Sequence, residues 1–117
     1  MIVLAIAGAG ALGAPCRYLL EVAISGRFGH RFPWGTTVVN LLGALLLGLI
    51  AGWGEFHGLQ TDIATVAGVG FLGAFTTFST FAVETTKLAP RQRVLYVTVS
   101  VVGGVALAAT GLALASF

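Results

Sequence analysis

The chain has 117 residues, 57% of them hydrophobic and 9% charged, and its mean hydropathy of +1.00 lies far above that of a water-soluble domain and predicts an integral membrane protein. The single Cys16 excludes an internal disulfide, no His/Cys grouping has metal-ligand spacing, and six dispersed basic residues with a net charge of +2 are too few for a nucleic-acid-binding stripe. No nucleophile can be paired with a base or a metal site at a membrane edge, so no enzyme is expected.

Uncharged runs cover 1–16, 32–54, 63–83 and 94–117, and about 20 mostly apolar residues carry a helix across the ~30 Å hydrocarbon layer. The expectation is a single all-α domain over 1–117, with four transmembrane helices at about 2–24, 33–54, 63–86 and 94–116. The first run spans only if its helix continues through Arg17 to around Ile24. Arg17 then pairs with Glu21 at i+4 or snorkels to the interface. The charge follows this apolar run, and nothing basic precedes Ile2. That is the reverse of a secretory signal, so cleavage is not expected.

The second helix, within "PWGTTVVNLLGALLLG", carries Asn40, with Thr36 one turn earlier on the same face. A buried amide either bonds a neighbouring helix or offers its NH2 to something passing through. Gly48 and Gly52 form a G-x-x-x-G. It serves packing within the chain or a contact between chains.

The third helix holds "GFLGAFTTFSTF". Counted from Asp62 at 1.5 Å per residue, Gly73 and Thr76 lie roughly 16–21 Å in, near the middle of the hydrocarbon. Gly68, Gly70 and Gly73 permit a helix break there, which frees backbone carbonyls to face a cavity or an ion. The alternative is a continuous helix whose Thr76, Thr77, Ser79 and Thr80 hydroxyls bond back one turn. Phe78, Phe81 and Glu84 follow at i, i+3 and i+6 on one stripe, and Glu84 is also placed to pair with Lys87.

On the fourth helix Tyr96 and Ser100 are i and i+4; Tyr96 also fits an aromatic belt at the membrane edge. The polar groups of all four helices are neutral donors or ring edges, and no Asp or Glu falls at mid-membrane. A cation carrier or proton relay needs such an acid. Neutral donors suit a small anion.

Arg27, Arg31, Lys87, Arg91 and Arg93 fall in or beside the first and third loops, whereas the second loop carries Glu55 and Asp62 without a basic residue. The positive-inside rule makes the first and third loops cytoplasmic and puts both termini outside a cell (inner or plasma) membrane.

The segments "GAGALGAPCRYLL", "PWGTTVVNLLGALLLG" and "GFLGAFTTFSTF" together resemble the Fluc (CrcB) family of fluoride channels. The resemblance implies an antiparallel dimer of four-helix subunits, with two fluoride pores around one structural sodium ion. By that resemblance Asn40 donates to fluoride, and Phe78 and Phe81 present ring edges to it. Ser79, Thr80, Tyr96 and Ser100 supply lining hydroxyls, Glu84 stands near the pore's end, and Arg17 lies by the vestibule. Gly73 and Thr76 give backbone carbonyls to the sodium, completed by their equivalents from a second subunit. The function implied is passive export of fluoride from the cytoplasm.

Two other readings are a small multidrug-resistance type transporter and a non-conducting subunit of a heterodimeric channel. The first depends on an acid in its first helix, and residues 2–16 contain none. A homodimer of antiparallel subunits needs a balanced Lys/Arg distribution. The bias here points to a partner of opposite orientation.

Overall fold

The computed structural model describes residues 2–29, 31–58, 61–76 and 78–117; the side chains of Phe78 and Ser79 lie outside that description. The described residues form helices α1 (Ile2–Phe28), α2 (Trp34–His57), α3 (Thr61–Thr65), a π-helical stretch (Val66–Leu72), α4 (Gly73–Phe75), α5 (Phe78–Lys87) and α6 (Pro90–Ala115). Four spans, Ile2–Phe28, Trp34–His57, Thr61–Lys87 and Pro90–Ala115, are long and apolar enough to cross a membrane. The protein is a multi-pass, all-α membrane protein with a bent third span.

The helix limits follow from local chemistry. α1 continues a turn past Ile24 and stops where Gly29 takes φ +86°, so Arg27 sits in its last turn. α2 starts after Pro33 and closes on Gly58 in the left-handed region, at φ +77°, a conformation glycine adopts without steric cost. Trp34 and Trp53 are both exposed on α2, about 28 Å apart at 1.5 Å per residue. That separation matches the hydrocarbon thickness and marks the two interfaces. α6 begins at Pro90, whose missing N–H costs nothing in a first turn, so Arg91 and Arg93 are helical.

Arg93 ties α6 to α5. Its Nε donates to the Thr85 carbonyl at 3.0 Å, and one terminal nitrogen donates to those of Leu88 at 3.1 Å and Thr86 at 3.5 Å. Carbonyls at a helix end run short of helical donors, although that of Thr85 also accepts from the Leu88 N–H at 3.4 Å, and a guanidinium at a helix C-terminus meets the favourable end of its dipole.

Helix association in lipid depends on close packing rather than on hydrophobic burial, and small residues make two seams here. α2 lies along α6: a Cβ added at Gly52 would stand 2.7 Å from Ala115 Cβ, and one at Gly111 2.7 Å from the Leu49 nitrogen. The G-x-x-x-G of α2 therefore faces α6 of the same chain. α1 lies along the π stretch, where a Cβ at Gly70 would stand 2.9 Å from both Ala9 Cβ and the Ile6 carbonyl oxygen. Val39, Leu72 and Phe75 form the buried apolar centre between these seams.

The third span bends as expected, and its helix is interrupted at Thr76 (φ −84°, ψ 159°), just beyond Gly73. Gly68 and Gly70 lie inside the π stretch, and the Gly73 N–H donates to the carbonyls of both. Gly70 is taken up by contact with α1, which leaves the interruption to the first residue beyond α4.

Candidate functional site

A cleft of about 460 Å³ opens between α2, the bent third span and α6. Asn40 and Gly43 line it from α2, Gly73 and Thr76 from the break, Phe81 from α5 and Ser100 from α6. These residues are far apart in sequence. Among the described residues no acidic side chain lines the cleft.

Each wall is set locally. Asn40 sits a turn beyond Thr36 on α2, and the Thr36 hydroxyl donates to Glu84 Oε1 at 2.5 Å. Glu84 thus accepts from α2 and makes no ion pair with Lys87 among the described residues. At Thr76 the backbone is extended, so the helix is not continuous, although the Thr76 hydroxyl still bonds back to the Leu72 carbonyl at 2.9 Å. The Thr76 N–H bonds the same carbonyl at 2.9 Å. An extended residue ends the i to i+4 ladder, so carbonyls of the preceding turn lose the donors a continuous helix would supply.

Tyr96 is fully buried, so it is no aromatic-belt residue. Phe32 meets its ring edge-on, with centroids 5.5 Å apart and planes at 88°, and Phe81 lies against it at 4.9 Å. Among the described residues, the Tyr96 Oη and Ser100 Oγ atoms, one turn apart on α6, are both buried with no hydrogen-bond partner. A buried hydroxyl left unpaired costs about 1–3 kcal/mol.

The remaining candidates divide. Arg17 lies apart from the cleft and pairs with Glu21 at 3.4 Å, with 27% and 19% of the two side chains exposed. Thr80 is half-buried on α5 and already engaged in an interaction. Thr77 and the side chains of Phe78 and Ser79 lie outside the described residues. Two contributors were not singled out by sequence: Gly43, one turn beyond Asn40, and Phe32, which precedes Pro33. The i+3 spacing of Gly43 from Asn40 was the available signal for the first. Nothing local signals the second, whose contact with Tyr96 joins residues 64 positions apart.

Comparison with known proteins adds a lineage. A family model described as "CrcB-like protein, Camphor Resistance (CrcB)" matches residues 4–112. A relative from Caulobacter sp. (strain K31), named fluoride-specific ion channel FluC, is 43% identical over 118 aligned residues, 96% of this chain and 92% of its own. One of the same name from Shewanella frigidimarina (strain NCIMB 400) is 45% identical over 86 residues, 74% of this chain and 69% of its own. Fluoride-specific ion channel FluC 1 from Leifsonia xyli subsp. xyli (strain CTCB07) is 39% identical over 116 residues, 97% of this chain and 85% of its own. These relatives are named as channels and not as enzymes. With nearly the whole chain matched by the model and by relatives well above 30% identity, the chain belongs to the CrcB-like family.

Proposed function

We propose that this protein is a fluoride-selective passive channel that exports fluoride from the cytoplasm, with two pores in an antiparallel dimer. The observation that carries the reading is a cleft lined by Asn40, Phe81 and Ser100 and, among the described residues, by no acid, with the buried hydroxyls of Ser100 and of Tyr96 just beyond it lacking a hydrogen-bond partner among those residues. Fluoride is small and strongly hydrated, so a pore must replace its water with donors. A Lys or Arg in the narrow part would instead trap the ion. The names of the relatives support the same substrate.

Asn40, Ser100 and Tyr96 offer N–H and O–H groups in this reading, while Phe81 offers its ring edge. Glu84, held by Thr36, ends the path on the side of the third loop, and Arg17 belongs to the approach. Phe78, Ser79 and Thr80 complete the lining. Gly73 and Thr76 fit a structural sodium ion: the extended Thr76 releases last-turn carbonyls beside the cleft, and neutral oxygens suit a hard cation. They would hold it together with the equivalent residues of a second subunit. A cation bound there supplies positive potential beside the anion path.

Fluoride and chloride efflux from vesicles containing the purified chain, by itself and together with an opposite-facing relative, read with ion-selective electrodes, tests the function. Fluoride is expected to leave and chloride to stay. Phe81→Ile should slow fluoride loss by up to about tenfold, as ring-edge contacts are worth ~0.5–1.5 kcal/mol. Equal release of both ions, or none from a folded dimer, would overturn the channel reading for the chain acting alone.

The charge bias supports one orientation, with the termini outside and the first and third loops in the cytoplasm of a plasma-membrane protein. The partner that fits is then an opposite-facing relative. Tags on the C-terminus should be accessible from the outside only. Comparable labelling from both sides would favour a homodimer.

A further inference from the structure

We propose that Gly43 is a positioning residue for halide selectivity: it lets the helix break stand close enough to Asn40 for the path to fit fluoride and not chloride. The proposal rests on the channel reading above. Gly43 follows Asn40 by three positions on α2, so the two share a face, and both line the cleft. The bare Cα of Gly43 is covered by the Thr76 methyl group, Cγ2, which occupies the place where a Cβ would go.

Thr76 cannot turn that methyl aside cheaply. Its hydroxyl is held by the Leu72 carbonyl at 2.9 Å, and the same carbonyl fixes its backbone N–H. Rotating the side chain breaks the first of these bonds. Carbon atoms in contact rest about 3.5–4.0 Å apart, so an added Cβ at Gly43 drives the break away from α2. The opening between the Asn40 amide and Thr76 then widens. A wider opening favours the larger halide relatively, because chloride needs the room that fluoride does not.

The rest of the surroundings tolerate a methyl group at this place. An added Cβ would lie 3.6 Å from Thr76 Cβ and 3.8 Å from Phe75 Cδ2, both ordinary contacts. Among the described residues the conflict is confined to one atom. Thr76→Ser removes that atom and retains the hydroxyl that bonds Leu72, so Gly43→Ala combined with Thr76→Ser exchanges one methyl for another across the same contact.

The test is a double-mutant cycle on the full-length protein in vesicles, with fluoride and chloride efflux measured together. Gly43→Ala should lower the fluoride-to-chloride ratio by roughly tenfold to a hundredfold, the order of loss that follows a displacement of about 1 Å in a preorganised site. The double variant should return to the ratio of Thr76→Ser alone. A fall in the amount of folded channel would reduce both fluxes equally and leave the ratio unchanged. Gly8→Ala is the control, because nothing lies within 4 Å of an added Cβ there.

A Gly43→Ala ratio equal to that of the unsubstituted chain, or a double variant no better than Gly43→Ala, would overturn the proposal. Melting temperatures of the same four proteins in detergent test the contact without reference to conduction: Gly43→Ala should melt lower, and Thr76→Ser should relieve most of that loss. Absence of fluoride efflux from the unsubstituted chain, both by itself and with an opposite-facing relative, sinks the channel reading instead. In that case additive melting shifts overturn the seat of Thr76 on Gly43, and coupled shifts support it.

Discussion

Asn40→Asp is expected to abolish fluoride efflux while leaving a folded protein. The substitution is nearly isosteric, so the volume of the cleft barely changes, but it replaces an amide with two N–H donors by a carboxylate that only accepts. Asn40 lines a cleft with no acid among the described residues. A negative charge about 4 Å from a permeating anion costs ~4 kcal/mol at an effective dielectric of about 20. At about 1.4 kcal/mol per decade that is a loss of roughly a thousandfold. Asn40→Ser, which keeps a shorter donor, should retain an intermediate rate. The measurement is electrode-recorded efflux at neutral pH, with size-exclusion elution and melting temperature as checks on folding. Conduction of the Asp variant within about threefold of the unsubstituted chain would show that the amide serves helix contact and not the ion.

Much of the site could be read from the sequence because the bilayer makes polarity conspicuous. Asn40, Thr76, Tyr96 and Ser100 stand out only against long apolar runs, and three of the four line the cleft. Tyr96 lies just beyond it, against Phe81. Glu84 was harder to interpret. Its spacing from Lys87 offered a local partner, and only the fold shows that Thr36, 48 positions away, takes its place. The break falls in the region expected, at Thr76, but which of the glycines serves it is not legible, because glycine permits both a change of backbone course and a close helix contact. Sequence does not distinguish these uses. In the fold Gly70 serves the contact with α1, and the extended residue is Thr76.

The same ambiguity surrounds Gly48 and Gly52, and here the alternatives predict different outcomes. A Cβ at Gly48 would strike the Ala108 carbonyl oxygen and lie 2.9 Å from its carbon and 3.0 Å from its Cα. All three belong to backbone, which cannot rotate away as a side-chain tip can. Nor can α6 retreat as a whole, because Gly52 and Gly111 fix the same seam at contacts of similar closeness. Gly48→Val should therefore destabilise the protein by about 2 kcal/mol or more, at the upper part of the range for overpacking. It should also lower the melting temperature and yield aggregated material on size exclusion. Gly54→Ala on the same helix, with nothing within 4 Å of the added atom, should change neither. If the motif instead held two chains together, Gly48→Val would give well-folded monomers with an undiminished melting temperature. That result would contradict the seam seen between α2 and α6. A misfolded variant that keeps no defined oligomer supports the seam, and leaves the dimer contact to be sought on other helix faces.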